Sequence, residues 1–240
     1  MNIGYPQPAY NIGDSIYQSL RKSIITLELT PGQALNIKDI ATQLEASRSP
    51  VRDALMKLAK EGLVDIIAQK GTYVSKIDLG RVEEERFLRE ALEEKVLREF
   101  CPIRTQSDLT RLGNSLRMQR ECMDRKDFPA LLDYDDEFHS IFFERTQKGM
   151  CWEIIRSMSG HYRRIRLMSF WESSILSNVI TEHETMLATI TDGDADALLR
   201  ISKAHSSRLL TQEALFLERY PEYFAAAARP EPAGSPSIKE

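Results

Sequence analysis

The chain has 240 residues, of which 42% are hydrophobic and 28% charged, with a net charge of −4; this is the composition of a folded globular protein long enough for one large domain or two ordinary ones. No run approaches the 18 apolar residues of a membrane span, and the start Met1-Asn-Ile-Gly-Tyr-Pro-Gln-Pro8 lacks the basic region and apolar stretch of a secretory signal, so a cytoplasmic protein without a membrane partner is expected. Three widely spaced cysteines, Cys101, Cys122 and Cys151, with no Cys-x-x-Cys among them, argue for reduced thiols rather than disulfides or a zinc ribbon.

Charge is divided unevenly. Residues 1–78 hold nine Lys/Arg against eight Asp/Glu, and the remainder 23 against 28, so the front is slightly positive and the back negative. That asymmetry is compatible with a small nucleic-acid reader whose cations are gathered on one face. After a polar, flexible lead over residues 1–13, the spacing of Ile16, Leu20, Ile24 and Leu27 predicts a helix over 14–28, which Leu29-Thr-Pro-Gly32 breaks. A second helix is expected from Ile37 to Glu45, and a third after Ser47, a good N-cap, with Val51, Leu55 and Leu58 inward and Gly62 as its stop. Arg48, Ser49 and Arg52 are left outside. Two short strands, Val64–Ala68 and Thr72–Ser75, hinge at Gln69-Lys70-Gly71.

Three helices and a trailing hairpin over 14–77 make a winged helix-turn-helix. In that architecture the start of the third helix enters the major groove, where Arg can bond guanine, while Ser47 and Ser49 donate to phosphates and Lys70 at the wing tip reaches the backbone or minor groove. The alternative is an ordinary solvated face. The strings Leu29-Thr-Pro-Gly-Gln-Ala-Leu35, Ser47-Arg-Ser-Pro-Val-Arg-Asp-Ala-Leu55, Glu61-Gly-Leu63 and Gly71-Thr-Tyr-Val74 resemble, in order and spacing, the DNA-binding domain of the GntR family of bacterial transcription regulators. The resemblance implies that Arg48 and Arg52 read bases, that Ser47, Ser49 and Lys38 hold phosphates, and that Gly71 lets the wing approach DNA. It also implies a homodimer on an inverted-repeat operator.

From Asp78 onward the pattern is helical. The expected spans are 79–101, 107–126, 128–146, 151–171, 176–191 and 194–219, an antiparallel six-helix bundle filling a domain over 78–221. The tail, 222–240, shows no pattern to bury and reads as disordered. Four polar residues interrupt the apolar stripes of three of these helices: Asp135 and His139, four apart on one face, then His183 and His205. A buried carboxylate needs a partner, and three imidazoles converging on it are what one divalent transition ion, Zn²⁺ or Ni²⁺, requires. Hydrogen-bonded core histidines, with Asp135 paired to an arginine, are the plainer alternative.

The bundle, with Phe87-Leu-Arg-Glu-Ala-Leu-Glu93 at its start and Asp192-Gly-Asp-Ala195 before its last helix, resembles the FCD effector domain of the FadR subfamily, and six helices favour its VanR-like branch. The resemblance covers about 79–219 and implies that Asp135, His139, His183 and His205 hold the ion. Thr146-Gln-Lys-Gly-Met150 departs from it, standing where relatives carry an Asn beside a small residue. Arg163-Arg-Ile-Arg166 resembles the segment where relatives place a carboxylate-binding arginine, Arg164 being the first choice and Arg166 the second. Arg89 faces the same cavity or pairs with Glu93 along its helix, and His161 is either a supporting residue or merely packed.

Three functions compete: a transcription regulator, expected to be a repressor, controlled by a small organic acid (a sugar acid, dicarboxylate or amino-acid derivative); a metal-sensing or metal-stabilised regulator without organic ligand; and a mononuclear metal hydrolase. Hydrolysis needs a general acid or base beside metal-bound water, yet no His-Glu-x-x-His occurs, and an enzyme would leave the front domain without a purpose. The expectation is a regulator and not an enzyme.

Overall fold

The computed structural model describes residues 12–226; the rest of the expected lead and tail, 1–11 and 227–240, lies outside the described residues. Helix α1 (Ile12–Ile25) buries Ile16, Leu20 and Ile24 as the stripe requires. It stops three residues early because Leu27 turns left-handed, at φ +59°. Asn36 caps α2 (Ile37–Gln43), its Oδ1 accepting from Lys38 N at 2.8 Å and Asp39 N at 3.4 Å. Ser47 takes the extended N-cap backbone of α3 (Arg48–Lys60), but its hydroxyl makes no capping bond. Strands β1 (Val64–Ile67) and β2 (Gly71–Val74) pair antiparallel, Val64 facing Val74 and Ile67 facing Gly71. Gln69 at φ +61° and Gly71 at +128° turn the wing tip.

Asp78 caps the long α4 (Leu79–Ile103) and a Thr105/Asp108 capping box starts α5 (Gln106–Arg125). There follow α6 (Phe128–Arg145), α7 (Gly149–Met158), α8 (Gly160–Ser169), α9 (Ser173–Asp192), α10 (Ala195–Arg208), a 3₁₀ turn over Leu209–Gln212 and α11 (Glu213–Arg219). The six expected runs appear in order, and two of them are interrupted. The fourth breaks at Ser159, beyond which Gly160 lies so close to the wing domain that a Cβ there would sit 2.6 Å from Leu63 Cδ2. The sixth tightens into the 3₁₀ turn at Leu209.

The tail expectation fails for its first residues. Pro221–Tyr223 form a further 3₁₀ turn, Phe224 is buried, and Ile77 donates to Tyr223 O at 2.8 Å and accepts from Ala225 N at 2.9 Å. The chain thus returns to the junction between domains. That junction is continuous core: Leu55, Leu63 and Val74 of the front domain pack in one cluster with Val82, Tyr162 and Ile165 of the bundle. A second core, built on Phe100, Phe138, Phe142, Met186 and Leu198, fills the bundle. Among the described residues no helix is long and apolar enough to cross a membrane.

Candidate metal centre and nucleic-acid interface

All seven residues expected at DNA are exposed: Lys38 on α2, Ser47, Arg48, Ser49 and Arg52 at the start of α3, Lys70 and Gly71 at the wing tip. None of the four cations forms an ion pair with a described residue, whereas Lys57 further along α3 is paired with Asp14 at 2.7 Å. The first turn of α3 carries no acid and begins with Arg48. Cations at a positive helix N-terminus are unfavourable by themselves, and an external polyanion at that end reverses the sign.

In the bundle, α6, α9 and α10 bring Asp135, His139, His183 and His205 together, with one ligand atom from each lying within 4.8 Å of every other. Asp135, His139 and His183 are buried and His205 nearly so. His139 Nε2 stands 3.3 Å from His183 Nε2, and these nitrogens lie 3.9 and 3.8 Å from the Asp135 carboxylate. The opposite ring nitrogens are each tied down: His139 Nδ1 to Glu93 at 2.6 Å, His183 Nδ1 to Gln119 Oε1 at 2.8 Å and His205 Nδ1 to Glu182 at 2.9 Å. Acceptors at all three Nδ1 positions select the tautomer that donates there and leaves a lone pair on Nε2. Burial, then Arg89 beside His139 and His205 beside His183, hold both imidazoles well below the usual histidine range, so they are neutral.

Two neutral Nε2 lone pairs facing each other attract nothing between themselves. Two imidazoles on one Zn²⁺-like ion, with bonds of about 2.0–2.1 Å, stand roughly 3.0–3.4 Å apart, and the 3.3 Å separation fits that range. The donor set therefore suits a divalent transition ion. Gln119 and Glu182 were not singled out from the sequence, and Glu93 was named only as a partner for Arg89. Gln119 left a signal, a polar residue in line with the buried Leu112, Ser115, Leu116 and Cys122; Glu182, adjoining His183 on α9, left none.

The arginines divide differently from expectation. Arg166, the second choice, bridges Asp135 and Asp136, its Nη1 lying 3.0 Å from Asp136 Oδ1. Arg89 takes the second alternative, pairing with Glu93 at 3.2 Å; its Nη2 also lies 4.0 Å from Asp135 Oδ2, but it is not among the residues that line the adjoining cavity. Arg164, the first choice, is elsewhere. Completely buried, it donates to Ser75 O at 2.6 Å, Ser75 Oγ at 3.2 Å and Gly160 O at 3.2 Å, clamping the base of the wing to α8. Arg164 and Arg166 are two apart in a helix buried on every side, so they point to different neighbours. His161 is a packed residue of the same seam, accepting from Asp78 N at 3.0 Å and donating to Gly62 O at 2.9 Å. Burial, then Arg164, push its imidazole down to about 3. In the departing segment, Thr146 Oγ1 bonds back to Phe142 O at 2.9 Å and serves only the end of α6.

Burial alone would raise the Asp136 carboxyl, yet Arg163 and Arg166 beside it hold it below the usual carboxylate range. A cavity of about 30 Å³ adjoins the cluster, lined by Asp135, Tyr162, Arg166, Phe170, His205 and Gln212 among others. That volume holds one or two waters.

Residues 12–74 match the family described as bacterial regulatory proteins, gntR family, and residues 86–208 match the FCD domain. The HTH-type transcriptional repressor RspR of Escherichia coli (strain K12) is 31% identical over 198 residues, 82% of this chain and 87% of that protein. The chain belongs to the GntR family of bacterial transcription regulators. An HTH-type regulator from an unstable DNA locus of Streptomyces ambofaciens is 30% identical over 217 residues, 89% of each chain. Among solved structures, E. coli McbR/YncC superposes with a TM-score of 0.72 at 18% identity, covering 87% of this chain and 98% of that one. A GntR regulator from Rhodococcus sp. RHA1 gives 0.73 at 22% identity, with the same coverage. These two likenesses establish the fold, a front winged helix on a helical bundle. The GntR chain described here is a DNA-binding transcription regulator and not an enzyme.

Proposed function

We propose that this GntR regulator is a cytoplasmic homodimeric repressor whose affinity for an inverted-repeat operator is set by a small organic acid, bound beside one divalent ion on Asp135, His139, His183 and His205. The observation that carries the metal is the set of Nδ1 anchors, Glu93, Gln119 and Glu182, which leave a lone pair on the Nε2 of three histidines gathered beside one carboxylate. Zn²⁺ or Ni²⁺ suits three imidazoles and a carboxylate. When bound, the ion offers a carboxylate ligand a Lewis-acid contact. Arg166 and Arg89, already at Asp135, supply the guanidinium that pairs with the same ligand's second oxygen. Sugar acids, dicarboxylates and amino-acid derivatives all carry that group.

A ligand larger than water has to widen the cavity, and the wall formed by Leu209 and Gln212 belongs to the irregular 3₁₀ turn rather than to a packed helix. Metal analysis of the purified chain should give close to one ion per chain, and His183→Ala or His205→Ala should lose it. Operator affinity measured at fixed salt across a panel of carboxylates should then fall with one of them, and only in the metal-loaded protein. The small cavity favours one second reading, a metal-sensing or metal-stabilised regulator; operator affinity that follows metal occupancy and ignores every carboxylate would select it. A wild-type chain that takes up no ion after reconstitution would return these residues to the core.

A further inference from the structure

A separate cleft of about 240 Å³ opens where α1 of the DNA-binding domain meets α6, α7 and α8 of the bundle. Four cations line it, Arg21 and Lys22 from α1, Arg156 from α7 and Arg163 from α8, against one carboxylate, Asp133. Two of them are spent in part on neighbours. Arg21 pairs with Glu61 at 2.8 Å and donates to Arg156 O at 2.6 Å, so it already spans the two domains. Arg163 is 4% exposed and contacts Asp136 at 2.9 Å and Asp133 at 3.3 Å, yet its Nε is buried with no hydrogen-bond partner among the described residues. Lys22 and Arg156 are exposed and form no ion pair with a described residue.

Each of Lys22 and Arg156 suits the last turn of its own helix, but that preference does not gather them at one seam. Bringing like charges together costs energy that only a counter-charge returns. Burial, opposed by Asp136, and then the neighbouring Arg166, Arg21 and Arg156 draw the Arg163 guanidinium below its ordinary range, a sign of how near these cations stand. An unpartnered buried N–H carries a further penalty of its own.

We infer that this cleft binds a small phosphate-bearing anion, inorganic phosphate or a phosphate monoester, at the seam between the DNA-binding and effector domains. The cations arrive from three helices and therefore from different directions. A tetrahedral oxyanion has free oxygens for all of them, whereas a planar carboxylate presents two. The cleft is distinct from the metal cluster but wired to it, because Arg163 shares Asp136 with Arg166, and Arg166 holds Asp135. An anion seated there joins α1 to α7 and α8 and fixes how the reading head sits on the bundle.

The test uses the full-length chain with inorganic phosphate as probe, against sodium chloride at equal ionic strength. At phosphate about tenfold above its Kd the thermal midpoint should rise by roughly 3 °C. The double variant Lys22→Gln with Arg156→Gln should lose that rise and bind phosphate at least about tenfold more weakly by calorimetry. Arg48→Gln with Arg52→Gln, which removes cations from the DNA face, and His183→Gln, which alters the metal cluster, should both keep it. An equal rise with chloride, or a rise that survives in the Lys22/Arg156 variant, overturns the assignment. So does a rise lost in the Arg48/Arg52 or His183 variant, which places the phosphate on the DNA face or at the ion.

Discussion

Gln119→Met separates a metal ligand from a core histidine at His183. Gln119 is fully buried and its Oε1 receives His183 Nδ1 at 2.8 Å, while its amide nitrogen lies 3.3 Å from Tyr134 O. Methionine has nearly the same length and volume, so packing changes little. What disappears is the acceptor that fixes the imidazole's tautomer and direction. The metal-free protein then buries an unsatisfied His183 N–H, at about 1–3 kcal/mol, while Tyr134 O keeps its bond from Ser115 Oγ at 2.7 Å; the loss is equivalent to a fall of several degrees in melting temperature for a chain of this size. Both readings of His183 share that loss. Only the ligand reading adds a loss of about 10–100-fold in metal affinity, or roughly 1.4–2.8 kcal/mol. Competition against a chromophoric chelator at pH 7.5, with Zn²⁺ and with Ni²⁺, measures it directly. A folded variant with the wild type's affinity would refute the claim that Gln119 orients His183 toward an ion.

Other outcomes follow from the same geometry. Arg52→Ala should cost about 1–3 kcal/mol on the operator and relax preference at one base, whereas Lys70→Ala should lower affinity alike on operator and scrambled DNA; anisotropy titrations in which Arg52→Ala loses equally on both would remove Arg52 from base reading. Arg164→Ala strips charge-assisted bonds from Ser75 O and Gly160 O, so stability should drop by about 3 kcal/mol or more while metal content is unchanged; metal lost from a folded variant contradicts its place at the wing. Burial holds the Glu85 carboxyl up at about 7, above its ordinary 4.5, so the folded chain keeps a proton that the unfolded chain releases. Its contribution is present below about pH 4.5 and declines as pH climbs to about 7. Glu85→Gln keeps the neutral shape, and its melting temperature relative to wild type should therefore increase from pH 5 to pH 8; a constant difference would show that Glu85 does not titrate there.

The cluster of Asp135, His139, His183 and His205 was legible because helical periodicity makes polar interruptions conspicuous: Asp135 and His139 occupy stripe positions beside Leu131, Leu132, Phe138 and Phe142. The winged helix was legible for the same reason, aided by turn residues such as Gly62 and Gly71 that take positive φ. The anchors behind the histidines were not, since Glu93, Gln119 and Glu182 acquire meaning only when α4, α5 and α9 pack side by side. Periodicity also fails on α8, where all ten residues are buried and no stripe distinguishes Arg164 from Arg166. The break at Ser159 and the packing of Phe224 share one cause: both answer to the front domain, through Leu63 and Ile77, at sequence separations no local pattern spans.

Helix α8 carries contacts to both the wing and the bundle interior. Toward the wing, His161 holds Gly62 O and Asp78 N while Arg164 holds Ser75. Toward the metal cluster, Arg163 and Arg166 hold Asp136 and Asp135. A ten-residue helix is about 15 Å long and far stiffer than the loops on either side of it, so its two sets of side chains cannot move independently. A carboxylate that drew Arg166 from Asp135 would shift the balance of charges on α8, and the rigid helix would carry that shift to Ser75 and the wing. Coupling of this kind is reciprocal and typically amounts to about 1–3 kcal/mol. The proposed repressor would therefore need no separate relay: Arg166, proposed to meet the ligand, and Arg164, which holds Ser75 at the base of the wing, are two residues apart on one helix.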